Sequence, residues 1–150
     1  MNKTNDLLIA KALATRDNAH APYSNFHVGA ALVTEDGEVF SGCNMENISY
    51  GITSCAEFGA FHAATTAKRF NKVRKIVVVG GPKVLPDGGV FQIVTPCGRC
   101  RQLIAESAMA SGFDIPVICF TPDLKIVKEF TISGLLPDSF DLNALTAGTN

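Results

Sequence analysis

Residues 55–81 read CAEFGAFHAATTAKRFNKVRKIVVVGG, an alanine-rich run followed by a β-branched one. Alanine is the strongest helix former, so a helix is expected over Cys55–Arg69, capped by Thr53 or Ser54 and ending on Lys68 and Arg69, where cations suit the carbonyl end of the helix dipole. The short run Lys75–Gly81, KIVVVGG, reads as a buried strand. A helix leading into a buried β-branched strand is the building unit of a layered α/β fold.

The pattern extends in both directions. Upstream, VGAALVT from Val28, a tight turn at Glu35–Gly37 and EVFSG from Glu38 predict a hairpin. Before it, Leu7, Leu8, Ala10, Leu13 and Ala14 recur near helical spacing within residues 5–19, with Asn5 as the cap and Pro22 beyond the end. Glycines and small residues from Gly42 to Thr53 suggest a functional loop. Downstream, residues 97–110 form another amphipathic helix, and IPVICF from Ile115 and LKIVKEF from Leu124 form two more strands. The expectation is a single three-layer α/β domain over residues 1–150, with five strands and no internal repeat. The apolar tail LLPDSF, Leu135–Phe140, either covers the core or meets another subunit.

Composition narrows the function. A chain of 150 residues buries a hydrophobic core without disulfide staples. Its formal net charge is −1, and without a basic surplus it is not expected to bind nucleic acid. No apolar run approaches membrane-spanning length, and MNKTNDLLIAKALATRDNA lacks a signal-peptide core, so no membrane partner is expected. The five cysteines are an odd number and fit a reducing compartment, which places the protein in the cytoplasm.

Those cysteines carry the chemistry. Cys97 and Cys100 in TPCGRCRQ suit one metal ion or a redox dithiol. A redox pair leaves Cys55 and Glu57 without a task, whereas Cys55, Cys97 and Cys100 supply three thiolates for zinc with a fourth position open for water. Both ligand segments fall at predicted helix starts, where unpaired N–H groups favour thiolates. Three thiolates around a zinc dication leave a net charge of about −1, and Arg101 is the preferred cation to offset it, ahead of Arg99. Cys43 and Cys119 lie in or beside apolar strands and read as buried thiols. None of His20, His27 and His62 has a partner at metal-binding spacing.

The pattern Cys55, Glu57, Pro96, Cys97, Cys100 matches the three-cysteine form of the zinc deaminase signature. With PYSNFHVGAAL (22–32), GCNMENISYG (42–51) and LLPDSF (135–140), the chain resembles the small homotetrameric zinc cytidine deaminases along nearly its whole length. The resemblance implies a five-stranded mixed sheet with helices on its faces and a cytosine nucleoside substrate. It implies that Cys55, Cys97 and Cys100 hold Zn2+, that Glu57 shuttles protons, that Phe26 lies beside the pyrimidine and that Asn44 and Glu46 bind the ribose hydroxyls. Phe140 falls where the family places an aromatic residue in a neighbouring subunit's site. Family members commonly follow CAE with arginine, but this chain has Phe58. An apolar residue there is also a feature of the blasticidin-S deaminases, which leaves a cytosine nucleoside analogue as an alternative substrate. A non-catalytic zinc protein is the alternative from another class.

Overall fold

The computed structural model describes residues 3–146. Side-chain alternation along three strands decides the layering. In β1 (Phe26–Thr34), β3 (Val73–Pro82) and β4 (Pro116–Phe120), Ala30, Leu32, Ile76, Val78, Val117 and Cys119 belong to one core cluster. Ala31, Val33, Val77, Val79, Ile118 and Phe120 belong to the other. Both faces of these strands are buried, which is why residues 76–81, IVVVGG, carry no polar side chain and do not alternate. The first face is covered by α2 (Ala56–Thr66) and α3 (Gly98–Ser111), through Ala56, Ala60, Phe61, Ala64, Ile104 and Ala105. The second is covered by α1 (Lys3–Arg16), through Leu8, Ile9 and Ala12. The result is the expected helix–sheet–helix sandwich.

With β2 (Val39–Cys43) and β5 (Val127–Thr131), the sheet has five strands in the order β2-β1-β3-β4-β5. β3 and β4 are parallel and the other neighbours antiparallel, so the sheet is mixed. A parallel pair requires a crossover. Here the crossover contains α3, which lies on the same face as α2. Two short helices, α4 (Ile132–Leu135) and α5 (Leu142–Thr146), follow the sheet.

Gly42 sets the position of α2. It pairs with Ala30 on the face that α2 covers, and a Cβ there would lie 2.5 Å from both the Ala56 carbonyl oxygen and the Ala60 amide nitrogen. The start of α2 therefore rests directly on the β2 backbone, an approach only glycine permits.

Several expected boundaries move. Asn5 lies inside α1 and does not cap it, since its Oδ1 accepts a hydrogen bond from Lys75 Nζ at 2.9 Å. α2 is preceded by Cys55 as the N-cap in place of Thr53 or Ser54. β5 begins at Val127 rather than Leu124, because Leu124 has φ +60° in a turn closed by its N–H bond to the Thr121 carbonyl at 2.8 Å. In the tail, Leu135 and Leu136 pack on the core while Phe140 is 60% exposed. No helix among the described residues is long and apolar enough to cross a membrane.

Candidate metal centre and active site

Two helix starts meet here. Cys55 caps α2 and Cys97 caps α3, each with extended backbone angles. Neither makes the side-chain-to-backbone bond that a serine or aspartate would make at that position. Their sulfurs turn toward one another instead, with Sγ atoms 3.8 Å apart. Cys100, one turn into α3 and buried, completes a triad whose sulfurs all lie within 4.8 Å of one another. Two thiolates on a tetrahedral zinc with Zn–S near 2.3 Å are separated by about 3.8 Å. The triad fits zinc in both donor chemistry and spacing.

Charge within the triad is uneven. A thiol hydrogen bond from Cys100 pulls the Cys55 thiol down to about 6 against the effect of burial, with further help from Cys97 and the Arg99 charge. The same bond, together with burial, pushes Cys100 up. Cys55 is thus the more readily ionised of this pair.

Glu57 stands in the first turn of α2 and is 4% exposed. Burial raises its carboxyl above the ordinary range and the neighbouring Cys55 charge adds to this, while its own backbone N–H opposes the shift. The group is poised to hold a proton and release it. A cavity of about 190 Å³ opens onto Glu57, Cys55 and Cys97, with Val28, Asn44, Thr53, Val94 and Thr95 in its walls. A buried acid and two of the three thiols at an open cavity, with Cys100 buried behind them, suit reaction at a metal, and a closed structural site would have no use for the opening.

The sequence profile of the cytidine and deoxycytidylate deaminase zinc-binding region matches residues 2–112. The chain belongs to this deaminase family. It is 39% identical over 142 residues to the cytidine deaminase of Sporosarcina psychrophila, covering 93% of each chain. It is 40% identical over 135 residues to that of Halalkalibacterium halodurans, covering 89% of this chain and 92% of the relative. The crystal structure of cytidine deaminase from Burkholderia pseudomallei superposes with a TM-score of 0.78 at 40% identity, covering 93% of this chain and all (100%) of that one.

Of the remaining expected site residues, Phe26, Asn44, Glu46, Phe140 and Arg101, only Asn44 lines this cavity. The Asn44 side chain accepts a hydrogen bond from the Val28 N–H at 2.8 Å and donates one to the Phe26 carbonyl at 2.9 Å. It therefore braces the start of β1 as well as lining the cavity. Glu46 accepts from the N–H groups of Tyr23 and Ser24 at 3.0 and 3.3 Å, and from the Ser24 hydroxyl. The hydroxyl bond is the main reason its carboxyl is held below the usual range. Glu46 lines a second cavity of about 330 Å³, with Tyr23, Ser24, Tyr50 and Thr53. Thr53 borders both cavities, so they adjoin.

Phe26 is 40% exposed and lies beside Val94 over Gly80, where a Cβ would come within 3.0 Å of the ring and 2.9 Å of Val94. Phe140 does not line its own chain's cavity. Its carbonyl accepts from Gln102 Nε2 at 2.8 Å while its ring faces outward. Arg101 points its guanidinium at neutral acceptors: the Pro96 carbonyl, the Leu135 carbonyl and the Thr95 hydroxyl. Arg99 is the cation that acts on Cys55, and its guanidinium lies 4.3 Å above the centre of the Phe58 ring. Phe58 and Arg99 thus form a cation–π pair beside the triad.

Thr53, Ser54, Val94 and Thr95 line the cavity although the sequence marks none of them as a site residue, and Thr53 and Ser54 only as candidate helix caps. Each lies within three positions on the N-terminal side of a ligand cysteine. That adjacency is the available signal.

Proposed function

We propose that this chain is one catalytic domain that hydrolyses cytidine or deoxycytidine to the uracil nucleoside and ammonia, with zinc held by Cys55, Cys97 and Cys100. The observation that carries this reading is the buried Glu57 lining the same small cavity as Cys55 and Cys97, two members of the thiol triad. Family membership and relatives named cytidine deaminase favour it over a nucleoside analogue or a purely structural zinc site.

The chemistry supplied by bound zinc is the activation of a water molecule as nucleophile. Glu57 takes a proton from that water and gives it to ring N3 of cytosine, which makes C4 more electrophilic. A bond forms between C4 and the water oxygen. Glu57 then carries the second proton to the exocyclic nitrogen, the C4–N bond breaks, and ammonia leaves. One carboxyl serves as base and then acid, and its raised affinity for protons suits both roles. In this reading the base occupies the smaller cavity, Phe26 borders the ring, and Asn44 and Glu46 meet the sugar where the two cavities adjoin.

The exposed Phe140 ring, displayed on a segment that its own site does not use, supports a homotetramer in which each chain completes a neighbour's site. Light scattering should then give about four times the 15.9 kDa chain mass. A fully active monomer removes this role from Phe140. Cytoplasmic residence belongs to the same proposal, since Cys55 and Cys97, with sulfurs 3.8 Å apart, need a reducing setting to stay free for metal, and a duty in pyrimidine salvage goes with the nucleoside substrate.

The Glu57→Gln variant tests the mechanism. It should keep its zinc and fold while losing roughly 10²–10⁴ of its cytidine turnover. Near-normal ammonia release from the folded variant contradicts the assignment.

A further inference from the structure

Residues 90–96 supply Val94 and Thr95 to the cavity and lead into Cys97. Among the described residues, no backbone-to-backbone hydrogen bond reaches this stretch. A wall without a hydrogen-bonded backbone has little order of its own, yet a binding site must be held to within about 0.5 Å. Side chains have to supply the order. Val94 rests against Gly80, and Ile93 packs on the core. The polar attachment comes from Arg101.

We infer that Arg101 is a positioning residue for this wall: its guanidinium ties residues 95 and 96 and the end of α4 to the ligand-bearing helix, and so sets substrate affinity. Nε donates to the Pro96 carbonyl at 2.8 Å, Nη2 to the Thr95 hydroxyl at 3.0 Å and Nη1 to the Leu135 carbonyl at 2.9 Å. Three separate directions are satisfied by one planar fork. A lysine ammonium is a point charge on a flexible stem and cannot reproduce that fork. Leu135 ends α4, where an unpaired carbonyl welcomes a cation. The next residue extends the tie, since Gln102 Nε2 donates to the Phe140 carbonyl at 2.8 Å. Through these two side chains, the segment that displays Phe140 is fastened to the helix carrying Cys100, and Arg101 also fastens the cavity wall.

A charge-balancing role and a positioning role predict different behaviour from lysine. The kinetic arm of the test rests on the deaminase reading, and the proteolytic arm does not. Zinc-loaded Arg101→Lys and Arg101→Gln should both show a KM for cytidine raised at least about tenfold, with a smaller change in kcat. Both should retain about one zinc per chain by elemental analysis. Cleavage by chymotrypsin after Phe91, identified by fragment mass, should accelerate in both. Thr95→Val keeps the side-chain shape and removes one acceptor, so it should show a smaller shift of KM and cleavage rate in the same direction. Wild-type KM and cleavage rate in Arg101→Lys overturn the inference, as does loss of zinc in proportion to lost activity with the cleavage rate unchanged. If the Arg101 variants do not fold, Thr95→Val decides: a wild-type KM and cleavage rate there also overturn it. If the wild-type protein does not deaminate cytidine, the deaminase reading fails while the cleavage rates still decide the positioning role.

Discussion

Replacing Gly42 by alanine tests whether the contact between β2 and α2 sets the geometry of the metal centre. The new Cβ would lie 2.5 Å from Ala56 O and Ala60 N, both backbone atoms that cannot swing aside. Ordinary contact begins at 3.4 Å, so the start of α2 must retreat by about 0.9 Å, because a close-packed interior offers no other slack. Overpacking of this kind costs about 1–3 kcal/mol. Alanine also stiffens the unfolded chain, but that offsets only about 0.4–1 kcal/mol, so the clash wins. At the middle of these ranges the net loss is about 1.3 kcal/mol, which for a chain of this size lowers Tm by roughly 3–5 °C. Cys55 and Glu57 move with the helix start, and a displacement near 1 Å at a reacting group costs on the order of 10² in rate. Thermal melts, elemental analysis for zinc and cytidine kinetics on Gly42→Ala read all three effects. Gly51→Ala is the control, since a Cβ there meets nothing within 4 Å. A Gly42→Ala protein with the melting temperature, zinc content and rate of the wild type would refute the reasoning.

Further expectations concern the metal and the thiols. Chelation of zinc should abolish turnover and lower Tm, because a shared ion would join the starts of α2 and α3 far more strongly than the weak contacts between their thiols, and readdition of zinc should restore both. A metal-free protein with full activity contradicts this. Burial pushes the Cys119 thiol up to about 12 from an ordinary value of 9.0. The folded state therefore binds the proton more tightly than the unfolded state, and the associated stability is intact below about pH 9 and is lost as pH rises toward about 12. Urea denaturation should show a shallower alkaline decline for Cys119→Ala than for the wild type, even though the variant begins less stable. Equal slopes dispose of the claim. Phe140→Ala should reduce activity while leaving the isolated chain's own cavity and zinc content unchanged, and an unaltered rate argues against its role in a neighbouring site.

The layering was legible because residues 76–79 of β3 are apolar on both faces and the helices that cover them carry apolar residues near helical spacing. The triad was legible because three ligands and a carboxyl fall at fixed short spacings, which local sequence records directly. What sequence did not reveal depended on side-chain direction across long separations. Nothing at Arg101 indicates that its fork reaches Leu135, thirty-four positions away. A charge beside two cysteines naturally reads as a counterion, and only the folded geometry shows its donors on neutral oxygens. The cap of α2 was missed for a related reason. Serine and threonine are better caps than cysteine in an isolated helix, but here the sulfur is turned toward the triad and the local preference yields to the site.

The central claim is that the thiol triad and Glu57 together deaminate a cytosine nucleoside. It is tested most directly by incubating the zinc-loaded protein with cytidine and deoxycytidine and quantifying uracil nucleoside and ammonia in the same samples. Catalytic turnover is expected with the two products formed in equal amounts, lost on chelation and lost in Glu57→Gln protein that retains its zinc. No turnover of either nucleoside by folded, zinc-loaded protein would contradict it.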